Sequence, residues 1–109
     1  MSAATGFVQV STTVPDRATA DRIATALVTE RLAACAQVDG PLQSTYRWQG
    51  AVETAAEWSC RLKTTAERLP ALLARIRELH PYNVPEIVAL DIADGDPAYL
   101  RWIQESVAT

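Results

Sequence analysis

Apolar and polar positions alternate from Phe7 to Val14, with Val8, Val10 and Val14 on one face and the β-formers Thr12 and Thr13 beside them. The pattern predicts a strand. Pro15-Asp16 ends it, and Asp16 supplies an N-cap for a helix. In that helix Ala20, Ile23, Ala24, Leu27, Val28 and Leu32 recur at helical spacing, while Asp16, Arg17, Asp21, Arg22, Glu30 and Arg31 cover the solvent side. A short apolar run follows from Ala33 to Val38. Asp39-Gly40-Pro41 interrupts it as a bulge or bend, because Leu42 to Trp48 resumes a β pattern. Gln49-Gly50 has the chemistry of a tight hairpin turn.

The next strand carries the clearest period-two signal. Val52, Thr54, Ala56, Trp58, Cys60 and Leu62 form one row; Glu53, Glu57, Ser59, Arg61 and Lys63 form most of the other. Its ~12 residues would span roughly 40 Å, about twice the usual strand length. Such a strand overhangs a domain of 109 residues, and its far end needs a partner, for which a second subunit is the natural candidate. Thr64-Thr65-Ala66-Glu67 matches a capping box with Thr64 as N-cap. A second helix then places Leu69, Leu72, Leu73, Ile76 and Leu79 on one stripe, with Pro70 tolerated in its first turn. Pro81 ends the helix at His80. Val84 to Ile92 reads as a strand apolar enough to be covered on both faces. Asp96-Pro97 opens a short last helix carrying Tyr99, Leu100, Trp102 and Ile103.

The order β-α-β-β-α-β plus a terminal helix is that of an α+β, ferredoxin-like domain spanning 1–109, with two helices on one face of an antiparallel sheet and a long β-hairpin. Trp48, Trp58 and the apolar rows also call for cover on the other face, so association through the sheet is expected.

Composition narrows the function. Hydrophobic residues make up 49%, and the net charge of −3 comes with no lysine or arginine run, which removes the basic footprint of a nucleic-acid binder. No apolar run approaches the length of a membrane span, and Met1 to Gly6 lacks the basic and apolar regions of a secretion signal. The two cysteines, 25 positions apart, form no CxxC motif or disulfide framework, which favours the cytoplasm and reduced thiols.

Chemistry concentrates in His80-Pro81-Tyr82-Asn83-Val84-Pro85-Glu86, which holds the only histidine of the chain. His80 is a metal ligand through its neutral imidazole, or a cap on the last carbonyls of the second helix. Cys35 is a soft thiolate ligand or a small buried hydrophobe; Cys60, on the Trp58/Leu62 row, is core. Glu86 shares the register of Val84 and Val88, points toward an apolar region and calls for Lys63, Arg47 or Tyr82 as partner. Glu53 and Glu57 lie on one strand face, solvated or chelating a cation. Tyr82, Tyr99 and Trp102 form an aromatic wall or an interface packing.

Leu32-Ala33-Ala34-Cys35, Tyr46-Arg47-Trp48-Gln49-Gly50, Leu62-Lys63-Thr64-Thr65, His80 to Glu86 and Tyr99-Leu100-Arg101-Trp102, in this order, resemble the CutA family of divalent-cation tolerance proteins. The resemblance runs from about Val8 to Trp102. It implies a homotrimer with an architecture similar to the PII signalling proteins, hairpins reaching across subunit boundaries, and a divalent metal ion, with copper the candidate, as ligand rather than as a requirement for folding. It places Cys35 and His80 at the metal-associated positions with Glu86 nearby, and Trp48, Glu53, Lys63, Tyr82, Tyr99 and Trp102 at the clefts and interfaces. Three functions then compete: a metal-responsive binding trimer, a PII-like module holding a small effector between subunits, and an enzyme pairing His80 with Glu86 or Tyr82. No nucleophile elbow, triad order or acylphosphatase-type loop supports the third, and the absence of a Gly-rich phosphate loop weighs against a nucleotide as the effector of the second.

Overall fold

The computed structural model describes residues 5–109; the reading of the extreme N-terminus at Met1 to Ala4 lies outside them. The elements are β1 (Phe7–Val14), α1 (Arg17–Thr29), β2 (Cys35–Trp48), β3 (Ala51–Thr65), α2 (Leu69–Leu79), β4 (Ile87–Asp91) and α3 (Pro97–Val107). The strands form one antiparallel sheet in the order β2-β3-β1-β4, the ferredoxin-like arrangement expected from the element order.

Local chemistry sets the boundaries. Asp16 caps α1 through Oδ1, which accepts the Thr19 N–H at 2.8 Å; that bond holds the Asp16 carboxyl below its ordinary range. The helix ends at Thr29, short of the expected Leu32. Arg31 enters the left-handed region at φ 59°, and the Leu32 and Ala33 N–H groups both turn back to the Leu27 carbonyl at 2.9 and 3.1 Å. Asp96 caps α3, accepting the Tyr99 N–H at 3.0 Å, with Pro97 as the first helical residue.

The capping box at Thr64 does not form. Thr64 remains in β3, and its hydroxyl donates to the Leu32 carbonyl at 2.7 Å, so it ties the α1–β2 corner to the sheet instead of opening α2. The turn before α2 is held by Thr65, whose Oγ1 accepts the Arg68 N–H at 3.3 Å.

The core lies between the sheet and the α1–α2 pair. Val10, Val14, Cys60 and Leu62 from the sheet meet Ile23, Leu27, Leu72 and Ile76, all fully buried. Burying each large aliphatic side chain contributes about 1.5–3 kcal/mol. Arg75 of α2 grips Glu30 at the end of α1 with two charge-assisted bonds of 3.0 and 3.1 Å, which sets the two helices side by side. A smaller cluster of Ala34, Ile103 and Val107 packs α3 with Phe7. The inner half of the β3 apolar row, Trp58, Cys60 and Leu62, therefore finds its cover from the helices, while Val52 toward the hairpin tip stays exposed.

β4 is shorter than expected and lies at an edge. Only Ile87 reaches the core, while Val88 and Leu90 point to the face away from the helices, 45% and 59% exposed. Pro85 and the preceding residues are taken up by the connector instead.

The hairpin is as long as the sequence demands. β3 has 15 residues, yet β1 pairs with it only from Thr65 to Trp58. From Ala51 to Glu57 its pairing partner is β2. Gln49 and Gly50, at φ 48° and 81°, close the hairpin with two left-handed residues, as a type I′ turn requires. The expected bulge falls between Asp39 and Leu42. A Cβ on Gly40 there would stand 2.9 Å from the Trp58 ring, so the ring occupies the space a side chain would need. We expect Gly40→Ala to destabilise the fold by about 1–3 kcal/mol through overpacking. Gly50→Ala, with nothing within 4 Å of its Cβ, should lose only about 1–2 kcal/mol of stability, through backbone strain at its positive φ. Urea unfolding of the two variants checks this; a harmless Gly40→Ala would remove the steric account.

Candidate functional site

The connector from α2 to β4 crosses the sheet where β1 stops. Pro81 forces His80 into an extended conformation at φ −81°, ψ 131°, and its N–H still closes the helix on Ile76 O at 2.8 Å. The ring does not cap the helix. Its Nε2–H donates to the Thr13 carbonyl at 2.9 Å, and its Nδ1 accepts the Tyr82 N–H at 3.2 Å. The two bonds assign the neutral tautomer with the proton on Nε2. Burial lowers the His80 pKa below its ordinary value, outweighing the Thr13 bond and the Glu57 charge, which act to raise it.

Tyr82 extends the clasp. Its ring lies 4.9 Å from the imidazole, and its hydroxyl donates to Glu57 Oε2 at 2.9 Å. Burial first, then the bond to Glu57, pushes the Tyr82 phenol up to about 12. Glu57 is only 7% exposed, so it is not the solvated strand residue that its period-two row suggested.

Between this connector and the hairpin opens a cleft of about 710 Å³. Five of the residues singled out in the sequence line it: Trp48, Glu53, Glu57, Tyr82 and Glu86. Glu86 precedes β4 and stands exposed at the cleft. Two of the three partners foreseen for it are engaged elsewhere: Tyr82 with Glu57, and Lys63 Nζ with Gln37 Oε1 at 3.1 Å. Sequence reasoning missed Ser44, Tyr46 and Thr13 as lining residues and the buried place of Glu57. A signal existed: Tyr46 lies opposite Glu53 in the β2–β3 register, so Ser44, Tyr46 and Trp48 share a face with the glutamates.

The remaining candidates gather elsewhere. Cys35 Sγ lies 3.5 Å from the Tyr99 hydroxyl, and Tyr99 stacks on Trp102 at 5.5 Å. The contact with Cys35, followed by burial, pushes the Tyr99 phenol up to about 12. Cys35 is paired with Lys63, whereas Thr13, which holds the His80 ring, is paired with Ser59. The two anchor points are thus about 16 Å apart by strand spacings. Within one chain Cys35 and His80 do not share a coordination sphere. Among the described residues no three His, Cys, Asp or Glu side chains cluster as a metal site. Both His80 nitrogens face backbone partners, so neither is presented as a free base or ligand.

Among the described residues no helix is long and apolar enough to cross a membrane. The framework is a small α+β domain: a ferredoxin-like sheet with a long hairpin and an acid- and aromatic-lined cleft beside it. The whole of that framework matches a known family: the chain belongs to the CutA1 divalent ion tolerance proteins, whose family model covers residues 8–106. It is 51% identical over 94 residues to the divalent-cation tolerance protein CutA of Thermus thermophilus, covering 86% of this chain and 91% of that one. It is 40% identical over 106 residues to the Escherichia coli protein of the same name, covering 97% and 95%. The crystal structure of CutA from Xylella fastidiosa superposes with a TM-score of 0.93 at 39% identity, covering 95% of this chain and all of that one.

Two measurements test the geometry. Burial pushes the Cys60 thiol up to about 11, so a thiol reagent should leave Cys60 unmodified in the folded protein and label it after denaturation. Native labelling of Cys60 would contradict its place in the core. The folded chain also prefers neutral His80, so its contribution to stability is complete above the ordinary value of 6.5 and is lost as pH falls below it toward the depressed folded pKa. The drop in urea midpoint between pH 7.5 and 5.5 should be smaller in His80→Gln than in the unaltered protein.

Proposed function

We propose that the chain is a divalent-cation-binding protein that works as a homotrimer, with its cation sites completed between subunits. One observation carries this reading. The candidate donors divide between two ends of the sheet, and among the described residues neither end holds a full coordination set within one chain. A second copy is the economical source of the missing donors. The family, whose relatives are named for divalent-cation tolerance, supports a cation as the ligand. The exposed apolar side chains of Trp48, Val52, Val84, Val88 and Leu90 support association. The thiol of Cys35 suits a soft ion such as copper, and Glu86 a harder one. His80 joins such a site only if its ring leaves the Thr13 carbonyl or the Tyr82 N–H. Cys35 and Cys60 as free thiols suit a reducing cytoplasm.

Calorimetric titration of copper and zinc into the unaltered protein, Cys35→Ser and His80→Ala, with the mass in solution measured by light scattering, tests the reading. A mass of three chains and weakened copper binding in Cys35→Ser are expected. Equal binding by all three proteins would remove both residues from the site.

The cleft favours a second reading. At about 710 Å³ it falls within the range of small-molecule sites, and it carries both aromatic and polar groups. A PII-like module holding a small effector there, at a subunit boundary, uses features that a metal site alone leaves idle.

A further inference from the structure

The chain contains two Asp-Gly pairs, Asp39-Gly40 and Asp94-Gly95. In such a pair the glycine peptide nitrogen, unshielded by a side chain, can attack the preceding side-chain carboxyl and close a five-membered imide. The fold treats the two pairs in opposite ways. Asp39 sits in the β2 ladder opposite Ser59, with its carboxylate 3.8 Å from the Arg61 guanidinium. Gly40 is wedged against the Trp58 ring, whose atoms lie 2.9 Å from where a Cβ would stand. Imide closure there has to break strand pairing and displace the ring.

Asp94 and Gly95 lie outside any helix or strand, both exposed, in the loop from β4 to α3. β4 ends at Asp91, opposite Val8, so the loop leaves the sheet at the end away from the cleft, and neither residue lines the cleft. The Gly95 N–H donates to Asp94 Oδ1 at 2.8 Å, which folds the carboxyl back onto the nitrogen that attacks it. Packing sets the glycine: a Cβ at 95 would stand 3.3 Å from Leu100 Cδ2, and Leu100 holds α3 against its small core. The contact that seats α3 thus leaves an unshielded nitrogen after an acid. The loop is also short. Ile92 is tied to Phe7 O by its N–H at 2.9 Å and to the Thr5 hydroxyl by its carbonyl at 2.6 Å, while Asp96 caps α3. Only Ala93, Asp94 and Gly95 join these two fixed points.

We propose that Asp94-Gly95 is a site of spontaneous isoaspartate formation that loosens α3, and that the fold protects Asp39-Gly40 from the same reaction. The Gly95 nitrogen bonds to Asp94 Cγ, and its proton leaves with the hydroxyl of the protonated carboxyl as water. A second water reopens the imide. Attack at the former main-chain carbonyl leaves the chain running through Cβ and Cγ, with the α-carboxyl free. The backbone gains one methylene and an exposed carboxylate just before the α3 cap, in a loop with no slack to absorb them.

Peptide mapping by mass spectrometry, on protein held for weeks at physiological temperature either folded or in urea, tests the site. In the folded protein a species one water lighter, then an isomer of the original mass, should accumulate at Asp94 about tenfold or more faster than at Asp39. In urea the two rates should converge. Hydrogen exchange of the aged protein should be faster in α3 and unchanged in α1 and β1. Asp94→Glu, whose longer side chain does not close the five-membered ring, should age without either change. Equal rates at the two pairs in the folded protein, or no imide at Asp94, overturns the proposed site. Unaltered α3 exchange in protein carrying isoaspartate, or equal loosening in aged Asp94→Glu, overturns the proposed effect on the helix.

Discussion

The rest of the structure depends on a mismatch in strand length. β1 stops at Val14, opposite Trp58, whereas β3 begins at Ala51. The outer part of β3 is left with β2 as its only pairing partner, and the sheet has a corner where a third strand would have continued. The α2–β4 connector fills that corner. His80 satisfies the Thr13 carbonyl near the end of β1, and Tyr82 reaches Glu57 one residue beyond the last β1 pair. The cleft is the space left between this connector and the protruding hairpin. A longer β1 would displace the clasp and close the cleft.

Polar accounting explains why the corner holds a histidine and a tyrosine. A backbone carbonyl at a strand end needs a donor, and a histidine that donates from Nε2 can still accept at Nδ1. His80 does both, which locks the direction of the chain leaving α2. Tyr82 then supplies one donor and an apolar ring to a buried carboxylate. The same logic appears at the α1–β2 corner, where Thr64 serves the Leu32 carbonyl. The exception among the described residues is Thr12, a buried hydroxyl without a partner.

The sequence made the framework legible because the framework is periodic. The alternation in β3, the helical stripes of α1 and α2, the Asp16 and Asp96 caps, the Gly40 bulge and the Gln49-Gly50 turn each follow from local pattern and appear as expected, save that α1 ends at Thr29, before Leu32. The failures are contacts between distant segments. Thr64 and Glu67 match a capping box, but strand pairing with β1 wins over the local signal. Val84 to Glu86 read as strand by apolarity, yet they serve the connector. Period two placed Glu57 beside solvated residues, and nothing local to the strand shows that Tyr82, 25 positions away, will cover it. The same holds for Cys35 and Tyr99, which are separated by 64 positions. The cleft is assembled wholly from such meetings, so its residues could be named singly but not as a set.

Glu57 is the position where strand pattern and burial pull apart. Its neighbours along the register need only a residue that suits a strand, and Leu42 opposite is apolar. A hydrocarbon at 57 would fit a covered strand position without desolvating a charge. Burying a carboxylate costs several kcal/mol, and a hydrogen bond to a charged group returns only about 1.5–3 kcal/mol. Tyr82 therefore offsets only part of that cost. The exposed glutamates at 53 and 86 carry no such cost, because water solvates them. Of the three glutamates that line the cleft, Glu57 is thus the one that depends on a contact made by a distant segment.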